Sequence, residues 1–507
     1  MRGIEPAHTI IDELLHEQQL LTPVARFARS HRHAVEPEQA HFYRDLIPLS
    51  APGPGEQYAF EVDLDLCSGC KACVVACHNL NGLAEDETWR SVGLVHLESR
   101  GEVWAQSLTA ACHHCVDPAC LNGCPVDAYE KNPATGIVKH LDDQCIGCQY
   151  CILKCPYDVP RYNAQRGIVR KCDMCSERLT VGEAPACVQA CPNEAISITV
   201  VNSAVIRAHY ASTDDFLPGA PPSQLALPST KYISRKTGPK REHIVTSVPR
   251  VEHAHPALAW MLVLTQLALA AFCAAELERM NGAASQHTLV ANFATAALVF
   301  GLIASVFHLG RPLYAFRAII GWRHSWLSRE VLAFSVFAAF VVLQLPFPHS
   351  DLMGWLTIVS GFVAVICSTM IYHDTQRPFW TGLKTAGKFF GTTLLLAAVI
   401  MWILDASPVA AALVVLIAAT KLAWEFGLMR NPALTRSRAV MFGELKWLSF
   451  ARFAFGVAGG VIGPLLAIAG WRSAEVVVGG FLLCFCGELA ERHLFFAAAA
   501  PPKMPGS

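Results

Sequence analysis

The sequence predicts two unlike regions: a duplicated, cysteine-rich α+β domain, followed by an all-α bundle of eight membrane-spanning helices. Three observations support this prediction. Sixteen of the twenty cysteines fall between Cys67 and Cys191. The second half of the chain contains long uncharged runs, such as residues 256–275. Over the whole chain 53% of residues are hydrophobic and 16% are charged, whereas soluble domains average about 25% charged.

Composition and charge limit the classes of function. The net charge is −1, so the overall balance gives no argument for nucleic-acid binding, and we expect none. The first fifteen residues lack a basic stretch leading into an apolar core, and they contain no twin-arginine pair. We therefore expect the cysteine-rich region to stay in the reducing cytoplasm. There, clustered cysteines bind metal more often than they form disulfides.

Shifts in composition divide the chain into five segments. They are a leader with a short amphipathic helix (1–57), a cysteine-rich domain (58–201), a Pro-rich and then basic linker (202–255), a membrane domain (256–497) and a tail (498–507). In the leader, apolar residues between Ile10 and Leu21 recur at helical spacing. Residues 58–66 and 195–201 are expected to form strands at the two ends of the cysteine-rich domain.

The sixteen clustered cysteines form four groups of four. The groups are Cys67, Cys70, Cys73 and Cys77; Cys112, Cys115, Cys120 and Cys124; Cys145, Cys148, Cys151 and Cys155; and Cys172, Cys175, Cys187 and Cys191. The first and third share the spacing C-x2-C-x2-C-x3-C, and the other two have longer middle gaps. Zinc usually takes its ligands as two separated pairs. Three closely spaced cysteines instead bind one 4Fe–4S cluster, and the fourth, usually followed by proline, binds a second cluster.

This pattern predicts a duplicated bacterial-ferredoxin-type domain, in preference to zinc sites or disulfides. Pro125, Pro156 and Pro192 follow the closing cysteines of three groups, and His78 follows the first. Because the fourth cysteine of one group binds the cluster of another group, the groups must pair, and two pairings are possible. Adjacent groups could pair, or the second and third groups could pair inside while the first and fourth pair outside.

Other residues of this region and the remaining cysteines have less specific roles. Five basic residues near the groups could tune cluster potentials or form an ordinary solvated face: Lys71, Lys154, Arg161, Arg170 and Lys171. Four cysteines stand alone in apolar runs, where we expect small buried hydrophobic residues: Cys273, Cys367, Cys484 and Cys486.

The apolar runs after residue 255 predict eight spanning helices, since a bilayer crossing requires about 20 apolar residues. The expected spans are 256–275, 288–307, 331–348, 352–372, 389–404, 407–423, 453–470 and 476–497. Lys and Arg accumulate in every second loop, whereas the intervening loops contain only Arg279 and Arg472. By the positive-inside rule, the cysteine-rich domain should face the cytoplasm.

Ionisable residues at the ends of the second and third spans suggest a quinone site. "ASVFHLGRPLYAF" contains His308 and Arg311, and "SREVLAF" contains Glu330. A quinone exchanges protons together with electrons, so it needs an apolar slot with a titratable side chain at its mouth. We expect His308 and Glu330 to approach each other; a structural histidine at a helix end is the alternative. "YHDTQRP" at 372–378 is a further candidate, and no partner for Glu488 can be identified from the sequence.

Residues 58–200 resemble the four-cluster iron–sulfur subunit of the dimethyl sulfoxide reductase family. The resemblance lies in "CHHCVDPACLNGCP", "CIGCQYCILKCPYDVPRY", "KCDMCSERL" and "PACVQACP". It implies the nested pairing, with four ligand sets: Cys67, Cys70, Cys73 and Cys191; Cys77, Cys172, Cys175 and Cys187; Cys112, Cys115, Cys120 and Cys155; and Cys124, Cys145, Cys148 and Cys151. Some relatives lack a cysteine of the second group and bind a 3Fe–4S centre. Cys120 is present here, so the resemblance implies four 4Fe–4S clusters.

Residues 256–497 resemble the eight-span anchor subunit of the same family, in hydropathy, in "HLGRP" and in the glutamate that follows. The resemblance implies that His308, Arg311 and Glu330 line a quinone site. It also implies that two usually separate subunits are fused here, and that a molybdopterin-containing catalytic subunit is a separate partner. The chain is then a multi-pass protein of the cytoplasmic (inner) membrane. It moves electrons between the quinone pool and that partner.

The terminal substrate and the direction of electron flow stay open. Cytoplasmic clusters make the chain more similar to quinone-linked sulfite-oxidising relatives than to sulfoxide reductases, and nitrate or polysulfide is also conceivable. The alternative hypothesis is a redox-sensing or ferredoxin module on a membrane anchor or transporter without a quinone site. Transporters tend to contain paired inverted repeats, and none is visible in the sequence.

Overall fold

A computed structural model describes residues 10–21, 40–99, 102–214, 216–235, 244–245, 249–344, 346–347 and 350–505. The described chain forms a cysteine-rich domain of short helices and small sheets, which is followed by a helical membrane domain. The basic part of the predicted linker, residues 236–243, lies outside the described residues.

The helices before the membrane domain are mostly short, because closely spaced cysteines and prolines interrupt them. They are α1 (Ile10–Leu21), α2 (Ala40–Tyr43), α3 (Ala72–Asn81), α4 (Ala119–Gly123), α5 (Tyr150–Lys154), α6 (Ser176–Thr180), α7 (Ala186–Gln189) and α8 (Ser203–Ser212). α1 covers the segment for which the sequence predicts an amphipathic helix.

The strands form small sheets around the cysteine loops. They are β1 (Glu56–Asp63), β2 (Ser91–Ser99), β3 (Glu102–Ala110), β4 (Tyr129–Lys131), β5 (Val138–His140), β6 (Arg161–Asn163), β7 (Ile168–Arg170), β8 (Ile196–Asn202), β9 (Lys231–Ile233) and β10 (Ile244–Val245). β1 pairs antiparallel with β8, with Tyr58 opposite Val200. The two strands predicted at the ends of the domain therefore lie side by side and bring the first cysteine group close to the last.

The segment predicted as a linker is partly structured. α8 begins after Asn202, whose side chain accepts hydrogen bonds from two amides of the first helical turn, and β9 adds a parallel strand to β1. The Ser229 hydroxyl donates to the carbonyl of His113 at 2.7 Å. Residues 202–214 and 216–233 thus pack on the cysteine-rich domain. Their polar, Pro-rich composition is typical of a linker that lies on a neighbouring domain, and it does not indicate β9, because this strand depends on β1 for its pairing.

The membrane domain contains ten helices in its described part. They are α9 (Pro256–Met280), α10 (Ala284–Val306), α11 (Trp326–Gln344), α12 (Asp351–His373), α13 (Gly382–Asp405), α14 (Pro408–Leu428), α15 (Thr435–Phe442), α16 (Lys446–Val457), α17 (Gly463–Ile468) and α18 (Ala474–Ala497). A π-helical turn at Ala458–Ile462 joins α16 to α17.

Seven helical segments of the described chain are long and apolar enough to cross a membrane, with α16 and α17 counted as one. The protein is therefore a multi-pass membrane protein. The eighth predicted span lies in α18, which has 24 residues but contains Glu488, Glu491 and Arg492 among its buried side chains. These three charges lie within five consecutive residues of the helix, which is not among the seven.

The membrane helices form two groups. The first group consists of α9 to α12. The second group consists of α13, α14 and α16 to α18. Helix α9 also contacts α13 and α18 of the second group. The main apolar core of the membrane domain includes Tyr150 of the cysteine-rich domain. After α18 the tail returns to that domain, where Met504 packs in a cluster with Tyr157. The two domains are therefore joined by packed side chains.

Candidate functional site

Two loops of the same backbone shape contain the first and third cysteine groups. Gly69 and Gly147 have φ values of 76° and 71°, and the residue two positions later is also left-handed in both loops (φ 64° and 60°). The Gly147 N–H donates to Cys145 Sγ at 3.4 Å. A Cβ at Gly147 would lie 2.3 Å from the carbonyl oxygen of Gly167. Glycine is required there by both conformation and space, and the turn directs an amide at a thiol.

The closing cysteines also share a turn. The third residue after the closing cysteine has positive φ in three groups: Asp127, Asp158 and Glu194. The next amide donates to the closing thiol in two of them, from Ala128 to Cys124 and from Ala195 to Cys191, each at 3.3 Å. Amide donors of this kind stabilise the charge on iron-bound thiolates.

The first ligand set lies around one cavity. Cys67, Cys70, Cys73 and Cys191 all line it, together with Thr109. Burial raises the pKa of the Cys67 thiol, and the nearby thiols of Cys191 and Cys70 raise it further. Cys70 is exposed, so this set lies at the surface of the domain.

The third ligand set lies around another cavity. Cys112, Cys115, Cys120 and Cys155 line it, together with Lys171. Burial raises the pKa of Cys155 to about 11, and the nearby Cys112 thiol contributes to the rise. A cysteine from the third group thus lies among those of the second, as the exchange of closing cysteines requires.

The thiols of the second set also lie close together, as their effects on one another show. Burial raises the pKa of Cys77 to about 12, and the thiols of Cys187 and Cys175 add to the rise. Burial also raises the pKa of Cys172, and Cys77 and Cys187 are among its neighbours. The closing cysteine of the first group therefore lies with the first three cysteines of the fourth.

The thiols of the fourth set lie close together as well. Burial raises the pKa values of Cys148 and Cys151, and both thiols have Cys145 and Cys124 among the neighbours that raise them further. Each of the four sets thus contains four thiols of suitable chemistry for one iron–sulfur cluster.

The sets follow one another through the domain. Burial raises the pKa of Cys73 in the first set, and Cys187 of the second set is one of its charged neighbours. Cys172 of the second set has Cys112 of the third set as a neighbour. Tyr129 lies between the third and fourth sets: burial raises its pKa, and both sets contribute to the rise.

Two buried cations lie among the thiols. Arg90 is 2% exposed; burial by itself would lower its pKa, but Cys187 and Cys73 raise it above its usual value. Lys171 is also 2% exposed, and its pKa is raised by Cys112 against the effect of burial. The sequence suggested Lys171 but not Arg90, because Arg90 approaches the thiols only through the fold.

The other basic residues suggested from the sequence have different surroundings. Lys71 is exposed. The remaining three form ion pairs with carboxylates: Lys154 with Asp374 at 2.8 Å, Arg161 with Asp158 at 3.1 Å and Arg170 with Glu87 at 3.1 Å. These pairs stabilise the fold and the contact between the domains.

The fourth set lies against the membrane domain. The Arg311 N–H donates to the carbonyl of Ile146 at 3.0 Å. A Cβ at Gly310 would lie 2.1 Å from the carbonyl oxygen of Gly167. The Arg311 guanidinium donates to the carbonyl of Asp142 at 2.8 Å. The "HLGRP" segment therefore holds the loop that contains Cys145 and Cys148, with glycine permitting the close approach.

His308 and Glu330 have separate partners. Within the described residues no hydrogen bond or ion pair joins the two, although the sequence suggested that they approach each other. The His308 ring contacts the Ser305 carbonyl, and the buried Glu330 carboxylate accepts from the Ser368 hydroxyl. The loop between α10 and α11 binds the cysteine loops, and the charge of His308 acts on His255 rather than on Glu330.

Two further residues at this boundary were not identified from the sequence. Burial lowers the pKa of His255 to about 3, and nearby His308 contributes to the shift. Burial raises the pKa of Tyr150, and the carboxylates of Asp374 and Glu330 raise it further. Tyr150 directly precedes Cys151, and its hydroxyl donates to the carbonyl of Ile371 at 2.9 Å, so it connects the fourth set with α12. No spacing rule could have indicated either residue.

The "YHDTQRP" segment mainly joins the domains. Arg377 donates to the carbonyls of Leu153 and Ile152 at 3.1 Å and 3.3 Å. Asp374 pairs with Lys154 across the same boundary. These contacts hold α5, which contains Cys151, against the end of α12.

The ion-pair partners of Glu488 lie on other helices. Its carboxylate lies 2.7 Å from Lys421 Nζ and 3.0 Å from an Arg452 nitrogen. Among the lone cysteines, Cys367 and Cys484 are buried as expected, Cys273 is partly buried, and Cys486 is exposed on the surface of the membrane domain.

Comparisons with known proteins agree with this arrangement. Residues 103–201 match the family described as 4Fe-4S dicluster domain, and residues 253–429 match the DMSO reductase anchor subunit (DmsC). The fold and the cysteine sets therefore define an iron–sulfur electron-transfer subunit joined to a membrane anchor.

The relatives assign this subunit to a family. One polypeptide of the anaerobic dimethyl sulfoxide reductase of Haemophilus influenzae is 36% identical over 183 residues, which is 34% of this chain and 87% of the relative. Its counterpart in the Escherichia coli enzyme of the same name is 40% identical over 149 residues, 28% of this chain and 72% of the relative. The E. coli formate dehydrogenase-O iron-sulfur subunit is 36% identical over 183 residues, 31% of this chain and 61% of the relative. The chain belongs to the dimethyl sulfoxide reductase family, as an iron–sulfur subunit fused to its anchor.

Proposed function

We propose that this chain moves electrons between membrane quinone and a separate molybdopterin-containing catalytic subunit, through four 4Fe–4S clusters. The observation that carries the proposal is the serial order of the ligand sets, from the exposed Cys70 to the fourth set against the membrane domain. A 4Fe–4S cluster, when bound, accepts and releases one electron. The catalytic partner would dock at the surface that contains Cys70.

The nested ligand sets are part of this proposal. The first and third sets each line one cavity, and the thiol neighbours of Cys77 and Cys148 support the other two. The repeated glycine turns at Gly69 and Gly147 support a duplicated ferredoxin unit. Sixteen thiols would then hold four cubes, with Arg90 and Lys171 offsetting their negative charge.

His308, Arg311 and Glu330 are proposed to surround the quinone. The Arg311 guanidinium and the N–H groups of its loop hold the fourth cysteine set beside this site. Burial lowers the pKa of His308, which favours a neutral imidazole able to accept a proton from a quinol. Glu330, whose charge acts on Tyr150, supplies a second proton acceptor.

The orientation and the number of spans complete the proposal. The basic loops lie on the side of the cysteine-rich domain, which supports a cytoplasmic position for that domain and an inner-membrane position for the helices. With α18 as the eighth span, both ends of the membrane domain lie on one side, which agrees with the contact between the tail and Tyr157. Labelling of single introduced cysteines from each side of sealed vesicles tests this orientation.

Reduction of the clusters by a quinol in the purified complex tests the function. We expect His308→Ala and Glu330→Gln each to slow quinol-driven reduction, seen by EPR, while dithionite reduces the clusters normally. Glu276→Gln provides the control, because Glu276 is also buried. It lies near the end of α9 that is distant from His255. Normal quinol reduction in both variants would favour the alternative, a ferredoxin or sensor module on an inert anchor.

The terminal substrate depends on the partner. The names of the relatives mention dimethyl sulfoxide reductase and formate dehydrogenase, and the proposed cytoplasmic side also suits a quinone-linked sulfite dehydrogenase. Copurification of the partner followed by molybdenum analysis tests its class. Turnover with sulfoxide or with sulfite then gives the direction of electron flow.

A further inference from the structure

The segment between α10 and α11 contains a short helix with one exposed apolar row. Residues Pro312–Ile319 form a 3₁₀ helix of eight residues. Such a helix has about three residues per turn, so side chains three positions apart lie above one another, and runs longer than about four residues are uncommon. Leu313, Phe316 and Ile319 therefore form one row, and they are 88%, 69% and 49% exposed. The described chain leaves this row largely uncovered.

A second row of the same helix faces the cysteine-rich domain. Ala318 is buried and packs in the apolar cluster that includes Cys124 and Cys145 of the fourth set. Beside it, the Arg317 guanidinium donates to the carbonyl of Asp143 at 3.0 Å. Because these contacts hold one side of the helix on the fourth set, the apolar row points to another side.

The arginines of this segment stack on its aromatic rings. The distances from the guanidinium carbon to the ring centroid are 4.5 Å for Arg317 over Tyr314, 5.6 Å for Arg323 over Trp322 and 4.4 Å for Arg329 over Trp326. A guanidinium can stack on a ring through its face and bind a phosphate through its N–H edge. Arg323 is exposed, and its side chain forms no hydrogen bond or ion pair with the described residues, so its N–H edge is open to a ligand.

The segment lies at the surface of the membrane. Both α10 and α11 are long and apolar enough to cross a bilayer, so the residues that join them lie where the two helices leave the hydrocarbon. Residues 312–329 contain three arginines and no acidic residue. Short amphipathic helices with Leu or Phe on one face and arginine on another lie in the bilayer–water interface, and aromatic rings are enriched there. Exposure and charge thus fit a lipid with apolar chains and an anionic head group.

We propose that residues 312–329 form a binding surface for anionic phospholipid. The row of Leu313, Phe316 and Ile319 inserts among acyl chains, and Arg323, with the two other stacked arginines, binds lipid phosphate. Because Ala318 of the same helix packs on the fourth cysteine set, the surface holds that set at a fixed depth relative to the bilayer. Lipid binding of this kind does not depend on a quinone reaction.

Photo-crosslinking of the complete complex identifies what covers the row. Benzoylphenylalanine placed at Phe316 and irradiated in vesicles of phosphatidylglycerol and phosphatidylcholine should increase the mass of the chain by one phospholipid. The same probe at Val181, which is 71% exposed on the cysteine-rich domain, is the matched control and should give no lipid adduct. An adduct at Phe316 with the catalytic subunit or with a second copy of the chain, in place of lipid, would overturn the proposal.

Native mass spectrometry tests the charge of the bound lipid. The complex in detergent is titrated with phosphatidylglycerol or with phosphatidylcholine, and the affinity for each is measured. We expect Arg323→Gln to lower the affinity for phosphatidylglycerol about fivefold, which is the effect of one basic residue near an anionic lipid. The affinity for phosphatidylcholine should stay the same. Arg323→Lys keeps the positive charge and should retain most of the affinity.

A second Trp-Arg pair in the membrane domain provides the matched control. Trp471 and Arg472 repeat the sequence of Trp322 and Arg323, and all four residues are exposed. Arg472→Gln should bind phosphatidylglycerol as the unaltered complex does. An equal loss in Arg323→Gln and Arg472→Gln would show attraction by surface charge alone and would overturn the proposal. Equal affinity of the unaltered complex for the two phospholipids would overturn it as well.

Discussion

The cysteine-rich domain and the membrane domain both bury groups that normally need water, but they compensate the burial differently. In the first, sixteen thiols lie in loops and short helices, where backbone amides such as that of Gly147 point at sulfur. In the second, carboxylates such as Glu425 and Glu488 lie on long helices, where Arg452 of another helix pairs with both. One domain uses local turns, and the other uses contacts between distant segments.

This difference shows what each domain requires of its residues. A cluster ligand needs its neighbours in the loop and a bound metal, so a local change removes one cluster and spares the rest. A buried charge needs its partner on another helix, so losing one partner leaves an uncompensated charge in an apolar surrounding. Four substitutions, ordered from the largest expected effect to the smallest, test this contrast.

Cys148→Ser should remove one cluster completely. A serine hydroxyl is a poor substitute for a thiolate ligand, so the iron content should fall from about sixteen to about twelve atoms per chain. We expect the EPR signals of the other clusters to persist, since their ligand sets are separate. Iron analysis and EPR on the purified complex measure both effects. Cys486→Ser is the control, and equal iron in both variants would contradict the assignment.

Arg452→Met should destabilise the second helix group strongly. It leaves Glu425 and Glu488 with fewer cations, and breaking a buried pair costs about 3–5 kcal/mol. Denaturant unfolding of the complex in detergent measures the loss. The double substitution Arg452→Met with Glu425→Gln should cost less, because a cation and a carboxylate are removed together. A larger loss in the double variant would show that the buried charges do not act as pairs.

Gly310→Ala should weaken the contact between the two domains. The added Cβ meets the backbone of Gly167, and overpacking of this kind costs about 1–3 kcal/mol. We expect a lower Tm and slower quinol-driven cluster reduction, since the fourth set must move away from the helices. Gly427→Ala, where nothing lies within 4 Å of the new Cβ, is the control. Identical behaviour of the two variants would argue against a tight contact.

Lys154→Met should have the smallest effect of the four. It removes the pair with Asp374 and a hydrogen bond to the Asp374 carbonyl at 2.8 Å. Because the pair is partly exposed, we expect a loss of about 1 kcal/mol. Arg161→Ala removes a more exposed pair within one domain and should cost still less. Thermal unfolding compares them, and a larger loss for Arg161→Ala would reverse our order.

Much of the cysteine-rich domain could be predicted from the sequence. The spacing of the cysteines indicated iron–sulfur ligands, and the strands at the ends of the domain were located correctly. These features depend on residues a few positions apart, such as Gly147 between Cys145 and Cys148. The spacing alone left two pairings open, because the exchange of a closing cysteine depends on how whole groups pack.

Less of the membrane domain could be predicted from the sequence. Hydropathy identified the apolar helices, yet it could not show that Glu488 meets Lys421 and Arg452, which lie on other helices. The sequence also suggested that His308 approaches Glu330, whereas Glu330 bonds Ser368. The hydropathy pattern of a sequence indicates which residues avoid water, but it does not indicate which helices are neighbours in the fold.

The sequence by itself determined the kind of chemistry: thiol ligands at cluster spacing and helices long enough to cross a bilayer. Local turns and the avoidance of water by apolar side chains are sufficient for both. Only the tertiary structure decided that Arg90 lies among the thiols, and that "HLGRP" holds the fourth set against the membrane helices. Those contacts join residues far apart in the chain, and their energies depend on the packing of complete domains.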